Sequence, residues 1–294
     1  MSSARGVTAF IDNDAGVSVT TQPSTMAAAS AAGLTRPVNA GEHIQHAIQS
    51  GQFAAHYQPI LDAEGKVRAV EALARWNHPS GRTLPPTEFV AEATAAGVLA
   101  HVDYAVLLQA LSDQVIWHRW KLDLHANVDV QTLAHPAFAE WLDQALTGRS
   151  FEARRLVLEI DAPAVAAAES TQGWSQIVDT LTSVRRLDVG IAIQDFAGGA
   201  ISPVLVERDL VTMLKLHQAI TRKLDPVDLW DDWIKQLGAW ITESNLAVTA
   251  VGVVSDRSAD AARELGCTSL QGFHYGFPTG SDKILAEINT LQDQ

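Results

Sequence analysis

The chain has 294 residues, of which 47% are hydrophobic, 6% aromatic and 19% charged. This composition is typical of a globular protein and excludes collagen-like, low-complexity and coiled-coil architectures. Its 34 acidic and 21 basic residues give a formal charge of −13, which repels nucleic acid and anionic membranes and disfavours direct nucleic-acid binding. The one cysteine, Cys267, cannot form an internal disulfide, so we expect a reducing, cytoplasmic setting.

The first part of the chain differs in composition from the rest. Residues 1–38 are poor in large apolar side chains and rich in serine, threonine and alanine. They lack the basic segment and apolar core of a secretory signal, and no window approaches the roughly 18–20 apolar residues of a membrane span. We therefore predict a flexible N-terminal leader over 1–38, a globular domain over 39–294, and no membrane association.

From residue 39 onward, the hydrophobic pattern predicts an α/β domain. A helix is predicted over 40–51, followed by a β-hairpin with strands at 55–61 and 67–76 and a Glu-Gly turn. Further strand candidates alternate with helical patterns at 122–130, 155–161, 189–196, 212–216, 247–253 and 268–277. Such alternation indicates a largely parallel sheet, and eight strands favour a (β/α)8 TIM-like barrel. An open doubly wound sheet has a similar rhythm, but no Gly-x-Gly-x-x-Gly follows the first strand.

Nearly every predicted strand carries a polar side chain toward its C-terminal end, where a barrel of this type places its active site. These side chains belong to Gln58, Glu71, Asn127, Glu159, Gln194, Asp195, Lys215 and Gln271. A carboxylate within an apolar strand is costly unless it is paired or bound to a metal. Any one of them could be a buried, hydrogen-bonded residue, but the set indicates hard oxygen ligands for Mg²⁺ or Mn²⁺ together with an anionic ligand. The chemistry predicted is phosphate handling.

The motifs around these residues resemble those of the bacterial EAL domain. The opening of that family is matched by Tyr57-Gln58-Pro59-Ile60, Glu71-Ala72-Leu73-Ala74-Arg75-Trp76 and Pro86-Thr87-Glu88-Phe89. Its later motifs are matched in order by Asn127, Leu158-Glu159-Ile160, Asp195-Phe196, Leu214-Lys215-Leu216 and Gln271-Gly272-Phe273, so that the resemblance covers roughly residues 40–280. It implies a barrel of EAL type, with a first antiparallel strand in a β-hairpin, that hydrolyses cyclic di-GMP to pGpG with two Mg²⁺ or Mn²⁺ ions.

The resemblance also assigns roles to residues, some kept and some replaced. Glu71, Asn127 and Glu159 match metal ligands, Asp195 matches the second acid of an Asp-Asp pair, and Lys215 matches the lysine near the attacking water. Four positions at which the family has acidic residues read Gln194, Val251, Val254 and Ala162. Two adjacent divalent ions need several bridging carboxylates. We therefore expect the Mg²⁺ or Mn²⁺ site to be lost, no cofactor, and no useful phosphodiesterase activity, with very weak residual activity as an alternative.

The residues that would orient the nucleotide are kept. By the same resemblance Gln58 and Gln271 are expected at guanine edges or the sugar-phosphate ring, and Leu73 against a base. Asp103 matches an acid that some receptors use at guanine, and Asn127 belongs to the same set. Arg75 and Lys215 are expected to meet the phosphates. The sequence thus favours a catalytically inactive EAL-like receptor for cyclic di-GMP.

The alternative is a regulator that acts through an unidentified protein partner and no longer binds cyclic di-GMP. Assembly of the chain into a homodimer is a further possibility. Its candidate interface is a stripe on one predicted helical face, made of Trp230, Trp233 and Trp240 with Ile234 and Leu237. Such stripes more often belong to the core. Asp225 is the predicted N-cap of this helix, with Pro226 at its first position. His217 has no predicted role.

Overall fold

The computed structural model describes residues 40–198 and 201–292. The predicted leader over 1–38 lies outside these residues. Within the described part of the chain, none of the helices combines the length and the apolar character that crossing a bilayer requires.

The described residues form nine strands and twelve helices. The strands are β1 (Phe53–Asp62), β2 (Val67–Asn77), β3 (Thr83–Leu84), β4 (Asp123–Asn127), β5 (Leu156–Asp161), β6 (Gly190–Phe196), β7 (Met213–Leu216), β8 (Ala247–Val251) and β9 (Ser269–Gln271). The helices are α1 (Ala40–Gln49), α2 (Val90–Ala95), α3 (Leu99–Asp113), α4 (Val130–Leu133), α5 (Phe138–Thr147), α6 (Ala162–Glu169), α7 (Trp174–Arg186), α8 (Pro203–Glu207), α9 (Gln218–Thr221), α10 (Asp232–Glu243), α11 (Asp256–Glu264) and α12 (Ser281–Gln292).

Eight of the strands close into a barrel. The hydrogen-bonded order is β1-β9-β8-β7-β6-β5-β4-β2, and β1 also pairs with β2, which closes the ring. β1 is antiparallel to both neighbours, whereas the pairs from β2 through β4 to β9 are parallel. The predicted barrel with an antiparallel first strand in a hairpin is therefore confirmed. β3 pairs with the end of β2 outside the barrel, and its two residues are too few to produce a periodic signal in the sequence.

The strands of the barrel are buried on both faces. The first five residues of β5 are all buried, as expected for a parallel strand covered by helices on its outer face. The predicted tryptophan stripe belongs to this core, since Trp233 is 9% and Trp240 is 5% exposed. The prediction for Asp225 is wrong: α10 begins at Asp232, and Asp231 caps it by accepting from the Ile234 amide at 2.9 Å.

The reason for the later start of α10 lies in the backbone before it. Residues 227–229 form a separate short turn of 3-10 helix, and Trp230 then has extended dihedrals (φ −62°, ψ 122°). An extended residue cannot continue a helix, so a new N-cap is required. His217, which had no predicted role, caps α9 by accepting from the Ala219 amide through Nδ1 at 3.1 Å.

Candidate functional site

A buried charge cluster lies inside the barrel. The Lys215 ammonium is 2.7 Å from Glu71 Oε2 and lies 2.6 and 2.7 Å from the two carboxylate oxygens of Glu159. Lys215, Glu159 and Glu71 are 2%, 0% and 5% exposed. The three N–H groups of the ammonium thus meet three carboxylate oxygens. This is a tight ionic core shielded from water.

Strand register brings these side chains together. Glu71 of β2 is paired with Gln58 of β1, and Asn127 of β4 is paired with Glu159 of β5. Lys215 reaches the cluster from β7, on the other side of the barrel. Successive side chains of a strand point to opposite faces, so each of these residues projects inward while its strand neighbours pack outward. Barrel closure then brings together residues that are 144 positions apart, as Lys215 and Glu71 are.

Neutral amides surround the ionic core. Asn127 Nδ2 donates to Glu71 Oε1 at 2.8 Å, and Gln271 Nε2 donates to Glu71 Oε2 at 2.6 Å. Gln194 Nε2 in turn donates to Asn127 Oδ1 at 2.6 Å, and Gln271 also donates to Gln58 Oε1 at 3.1 Å. Six of the predicted site residues, together with Gln194, therefore form one connected set. Gln271 Oε1 is buried without a hydrogen-bond partner among the described residues, and a buried network is weaker where a member is unsatisfied.

His125 belongs to the same network and was not predicted. Its Nδ1 lies 2.7 Å from Glu159 Oε1, and the residue is 2% exposed. Because a carboxylate only accepts hydrogen bonds, Nδ1 carries the hydrogen. The spacing of the sequence could have indicated this residue. His125 lies two residues before Asn127 on β4, and residues two apart on a strand face the same side, here the barrel interior.

The electrostatics of the cluster favour its charged form. Burial by itself raises the pKa of Glu71, but the positive charge of Lys215 and the hydrogen bonds from Lys215, Gln271 and Asn127 outweigh it and lower the pKa to about 2. Burial lowers the pKa of Lys215, and the Glu159 and Glu71 carboxylates more than reverse this, so that the pKa is raised above its ordinary value. Each charge holds the other ionised.

The carboxylates of this cluster do not fit a divalent ion as they are arranged. All four oxygens of Glu71 and Glu159 accept from nitrogen donors, and Lys215 occupies the space between them. Among the described residues, no group of three or more histidine, cysteine, aspartate or glutamate side chains is placed to share an ion. A Mg²⁺ or Mn²⁺ ion needs several free oxygen ligands, and it would have to displace the ammonium to obtain them.

A cavity of about 410 Å³ opens beside the cluster. Glu71, Asn127 and Gln194 form its polar inner wall, and apolar side chains that include Leu73 and Phe89 form much of the rest. The cavity lies at the C-terminal ends of β2, β4, β5 and β6, which is the end where barrels of this type bind ligands. Its volume is that of a site for a small organic molecule.

Asp103 lines the same cavity from α3. Its Oδ2 accepts from the Asp129 amide at 2.9 Å and from Thr132 Oγ1 at 2.6 Å. Burial raises the pKa of Asp103 to about 7, although both hydrogen bonds act in the opposite direction. A carboxyl group that is close to half-protonated at neutral pH can donate or accept, which suits the polar edge of an aromatic base.

The other predicted site residues lie around the mouth of the barrel. Arg75 is half-buried, shares one face of β2 with Glu71 and Leu73, and donates to the Ala74 carbonyl at 2.8 Å. Asp195 is exposed with φ 53° at the end of β6. Burial raises the pKa of the neighbouring Asp161, and the charge of Asp195 acts in the same direction. These residues border the network without hydrogen-bonding to it.

No charge is brought to this mouth by the four residues that stand where the family resemblance predicts acids, Gln194, Val251, Val254 and Ala162. Val251 ends β8 and is half-buried, whereas Val254 is 62% exposed, and Ala162 begins α6. Gly272 holds the neighbouring segment in place, because a Cβ there would lie 2.0 Å from the Val253 carbonyl oxygen. That close approach fixes the backbone directly after Gln271, whose carbonyl accepts from the Val253 amide at 3.0 Å.

Known proteins resemble this chain in sequence and in fold. The EAL domain family matches residues 42–278, which is most of the chain. The chain belongs to the EAL family. A relative, the bifunctional diguanylate cyclase/cyclic di-GMP phosphodiesterase MucR of Pseudomonas aeruginosa, is 28% identical over 252 residues, covering 83% of this chain and 36% of that protein. The cyclic di-GMP phosphodiesterase NbdA of the same organism is also 28% identical, over 249 residues, covering 83% of this chain and 31% of NbdA. This chain thus spans about a third of the length of these curated relatives.

Solved EAL structures share the fold. The PaMucR phosphodiesterase in complex with c-di-GMP superposes with a TM-score of 0.72 at 24% identity, covering 84% of this chain and 100% of that one. The FimX EAL domain of Pseudomonas aeruginosa bound to c-di-GMP superposes with a TM-score of 0.69 at 23% identity, covering 82% of this chain and 96% of that one. At these identities the likeness shows the (β/α)8 barrel of the EAL type.

Proposed function

We propose that this EAL domain is a receptor in cyclic di-GMP signalling that binds the nucleotide without hydrolysing it. The observation that carries the proposal is the closed cluster of Lys215, Glu71 and Glu159, in which nitrogen donors take the carboxylate oxygens that two metal ions would need. We also propose a cytoplasmic location, because a chain with a single cysteine suits a reducing compartment.

Loss of hydrolysis is supported by the composition of the mouth. A pair of divalent ions held close together requires carboxylates to offset their mutual repulsion. Gln194 is a neutral amide that already donates to Asn127, and Val251 and Val254 are apolar. Loss of one essential group in a catalytic site commonly lowers the rate by roughly a thousandfold or more. The proposal therefore includes the loss of the metal site and of useful phosphodiesterase activity.

Retention of binding is supported by the cavity and by the relatives. The cavity of about 410 Å³ combines apolar walls, which include Leu73, with the Asp103 carboxyl group, and this combination suits a purine base. Arg75 lies on the same face of β2 and would meet a phosphate with its planar guanidinium. Lys215 is committed to two carboxylates, so its predicted contact with a phosphate requires that cluster to open. The solved FimX EAL domain is bound to c-di-GMP.

The test is calorimetric titration of the purified chain with cyclic di-GMP, once with Ca²⁺ and once with EDTA, followed by chromatography of the recovered nucleotide. We expect micromolar or tighter binding in both conditions and intact nucleotide. Arg75→Ala should weaken binding at least about tenfold, because a charge-assisted hydrogen bond to phosphate is lost. Arg68→Ala is the matched control, since Arg68 lies on the same strand with its side chain 70% exposed, and it should bind as the wild type does.

Two results would contradict the receptor proposal. Mg²⁺- or Mn²⁺-dependent production of pGpG at rates near those of active EAL enzymes would show that the site still turns over. No heat with a folded chain would favour the second candidate, a module that acts through protein contacts. A specific surface supports that candidate: Phe273 and Phe277 are 58% and 64% exposed and stack at 4.4 Å between ring centroids. A regulatory output that survives in Arg75→Ala would count for it as well.

A further inference from the structure

A second cavity, of about 380 Å³, lies at the opposite end of the barrel from the charge cluster. Two connections build it, residues 114–122 between α3 and β4 and residues 149–155 between α5 and β5. Leu122 and Arg155 immediately precede the first residues of β4 and β5. The cavity of about 410 Å³ beside the charge cluster, called the nucleotide cavity below, instead includes Asn127 and Asp161, the last residues of these strands. The two cavities share no lining residue.

The inner wall of this second cavity is apolar and aromatic. Trp117, Leu122 and Phe151 line it and are 1%, 4% and 9% exposed. Trp117 is held in place by an edge-to-face contact with Tyr57, whose ring centroid is 4.8 Å away. The buried indole N–H of Trp117 has no acceptor within the described residues, and a buried donor without a partner is uncommon in folded proteins.

The rim of the cavity carries positive charge. Lys121, Arg149 and Arg155 line it, together with one acid, Glu152. Glu152 is already shared, because it accepts from Arg154 at 2.6 Å and from Arg155 at 3.3 Å. The chain as a whole has a formal charge of −13, so three cations at one cavity form a local exception to its acidic surface. Such a site concentrates anions where the rest of the surface repels them.

Protein acceptors orient the two arginines without using all of their donors. Arg149 donates from Nε to Ser112 Oγ at 2.9 Å and from Nη1 to the Ala145 carbonyl at 3.4 Å. Arg155 donates to the Lys121 carbonyl and to Glu152. A guanidinium carries five N–H groups in a rigid fork, so each arginine keeps donors for a ligand. Groups that are already oriented lose less entropy when they bind an anion.

We propose that this second cavity binds a small phosphate-bearing molecule with a flat apolar part, of the size of a nucleoside monophosphate. The three cations meet the phosphate, and the Trp117, Leu122 and Phe151 wall takes the ring. Planar guanidinium groups match phosphate oxygens by two-point hydrogen bonding, and a volume of about 380 Å³ lies in the range of small-ligand sites. The site is independent of the proposed receptor function, because it uses none of the residues of the nucleotide cavity.

The experiment uses three probes on the full chain: adenosine 5′-monophosphate, adenosine and inorganic phosphate. Calorimetric titration at low salt should give the tightest binding with the monophosphate, and at least about tenfold weaker binding with adenosine, which lacks the charge-assisted hydrogen bonds. Inorganic phosphate should also bind more weakly than the monophosphate, because it buries no apolar surface. Raising the salt concentration should weaken monophosphate binding, as expected for contacts at a surface rim.

Variants locate the site. Lys121→Gln/Arg149→Gln should weaken monophosphate binding at least about tenfold, and Lys121→Gln alone, at an exposed side chain, should weaken it measurably without affecting folding. The matched control, Arg208→Gln/Lys235→Gln, removes two exposed cations elsewhere and should bind as the wild type does. The proposal is overturned if the monophosphate does not bind the folded chain, or if Lys121→Gln/Arg149→Gln binds it as tightly as the control pair does.

Discussion

Replacing Lys215 with methionine tests whether the buried cluster is held together by charge. The substitution keeps an unbranched side chain, one atom shorter, but removes the ammonium that lies 2.6 to 2.7 Å from three oxygens of Glu71 and Glu159. Both carboxylates are almost fully buried, and breaking a buried ion pair by removing one partner costs about 3–5 kcal/mol. We expect Lys215→Met to lower the free energy of unfolding by this amount at pH 8.

The loss should depend on pH in a direction set by the cluster. Without Lys215, the main group that lowers the pKa of Glu71 is gone, and burial then raises that pKa above the unfolded value. A folded-state pKa that is raised favours the folded state at low pH and disfavours it as the pH rises through that pKa. The deficit of the variant relative to wild type should therefore be larger at pH 8 than at pH 5.

The assay is urea-induced unfolding of both proteins at pH 5, 6.5 and 8. Glu71→Gln/Glu159→Gln/Lys215→Met is the matched variant, because it removes the unpaired charges and should recover much of the lost stability. Lys235→Met, at an exposed lysine, controls for the substitution itself and should change stability by less than about 0.5 kcal/mol. A loss below about 1 kcal/mol in Lys215→Met at pH 8, or equal losses at pH 5 and 8, would refute the reasoning.

Three further predictions concern individual groups. Because the pKa of Glu71 is lowered from 4.5 to about 2, wild type should lose about 3 kcal/mol between pH 5 and pH 2 that Glu71→Gln does not lose, measured by acid titration of unfolding. The pKa of Asp103 is raised from 3.8 to about 7. As the pH rises from 4 to 7, wild type should therefore lose stability relative to Asp103→Asn, by at most about 1.4 kcal/mol per pH unit. Urea midpoints of the two proteins that change in parallel with pH would contradict this. Gly272→Ala places a Cβ 2.0 Å from the Val253 carbonyl oxygen and should lower the free energy of unfolding by about 3 kcal/mol or more. In the control Gly173→Ala the nearest atom to the new Cβ is 3.8 Å away, so the loss measured by thermal denaturation should be less than about 1 kcal/mol.

Much of the fold follows from the periodicity of the sequence. The hairpin predicted at 55–61 and 67–76 is found at Phe53–Asp62 and Val67–Asn77, and each of the six later strand candidates contains an observed strand. Long apolar runs separated by helical patterns leave few alternatives to a parallel sheet. Asp225 shows the limit of the method, because a proline after an aspartate marks a turn and a helix start equally well. The structure had to show that Trp230 is extended.

The site was predicted as a set of residues but not as a set of bonds. Polar side chains near the ends of parallel strands meet at one end of a barrel, and the sequence identified seven of the eight residues in the network. It assigned Lys215 to the ligand, whereas the structure pairs it with Glu71 and Glu159. Which donor reaches which oxygen depends on distances of a few tenths of an ångström across the barrel, and no linear pattern contains them.

The sequence by itself determined the barrel, the family motifs and the absence of acidic side chains at Gln194, Val251 and Val254, because these depend on residue identity and spacing along one chain. The tertiary structure decided how the remaining charges are paired. His125, Glu159 and Glu71 come from the neighbouring strands β4, β5 and β2, whereas Lys215 comes from β7 and meets them only because the sheet curls into a ring. In that dry interior a charge must find an opposite charge or a hydrogen-bond donor, and closure of the barrel supplies both.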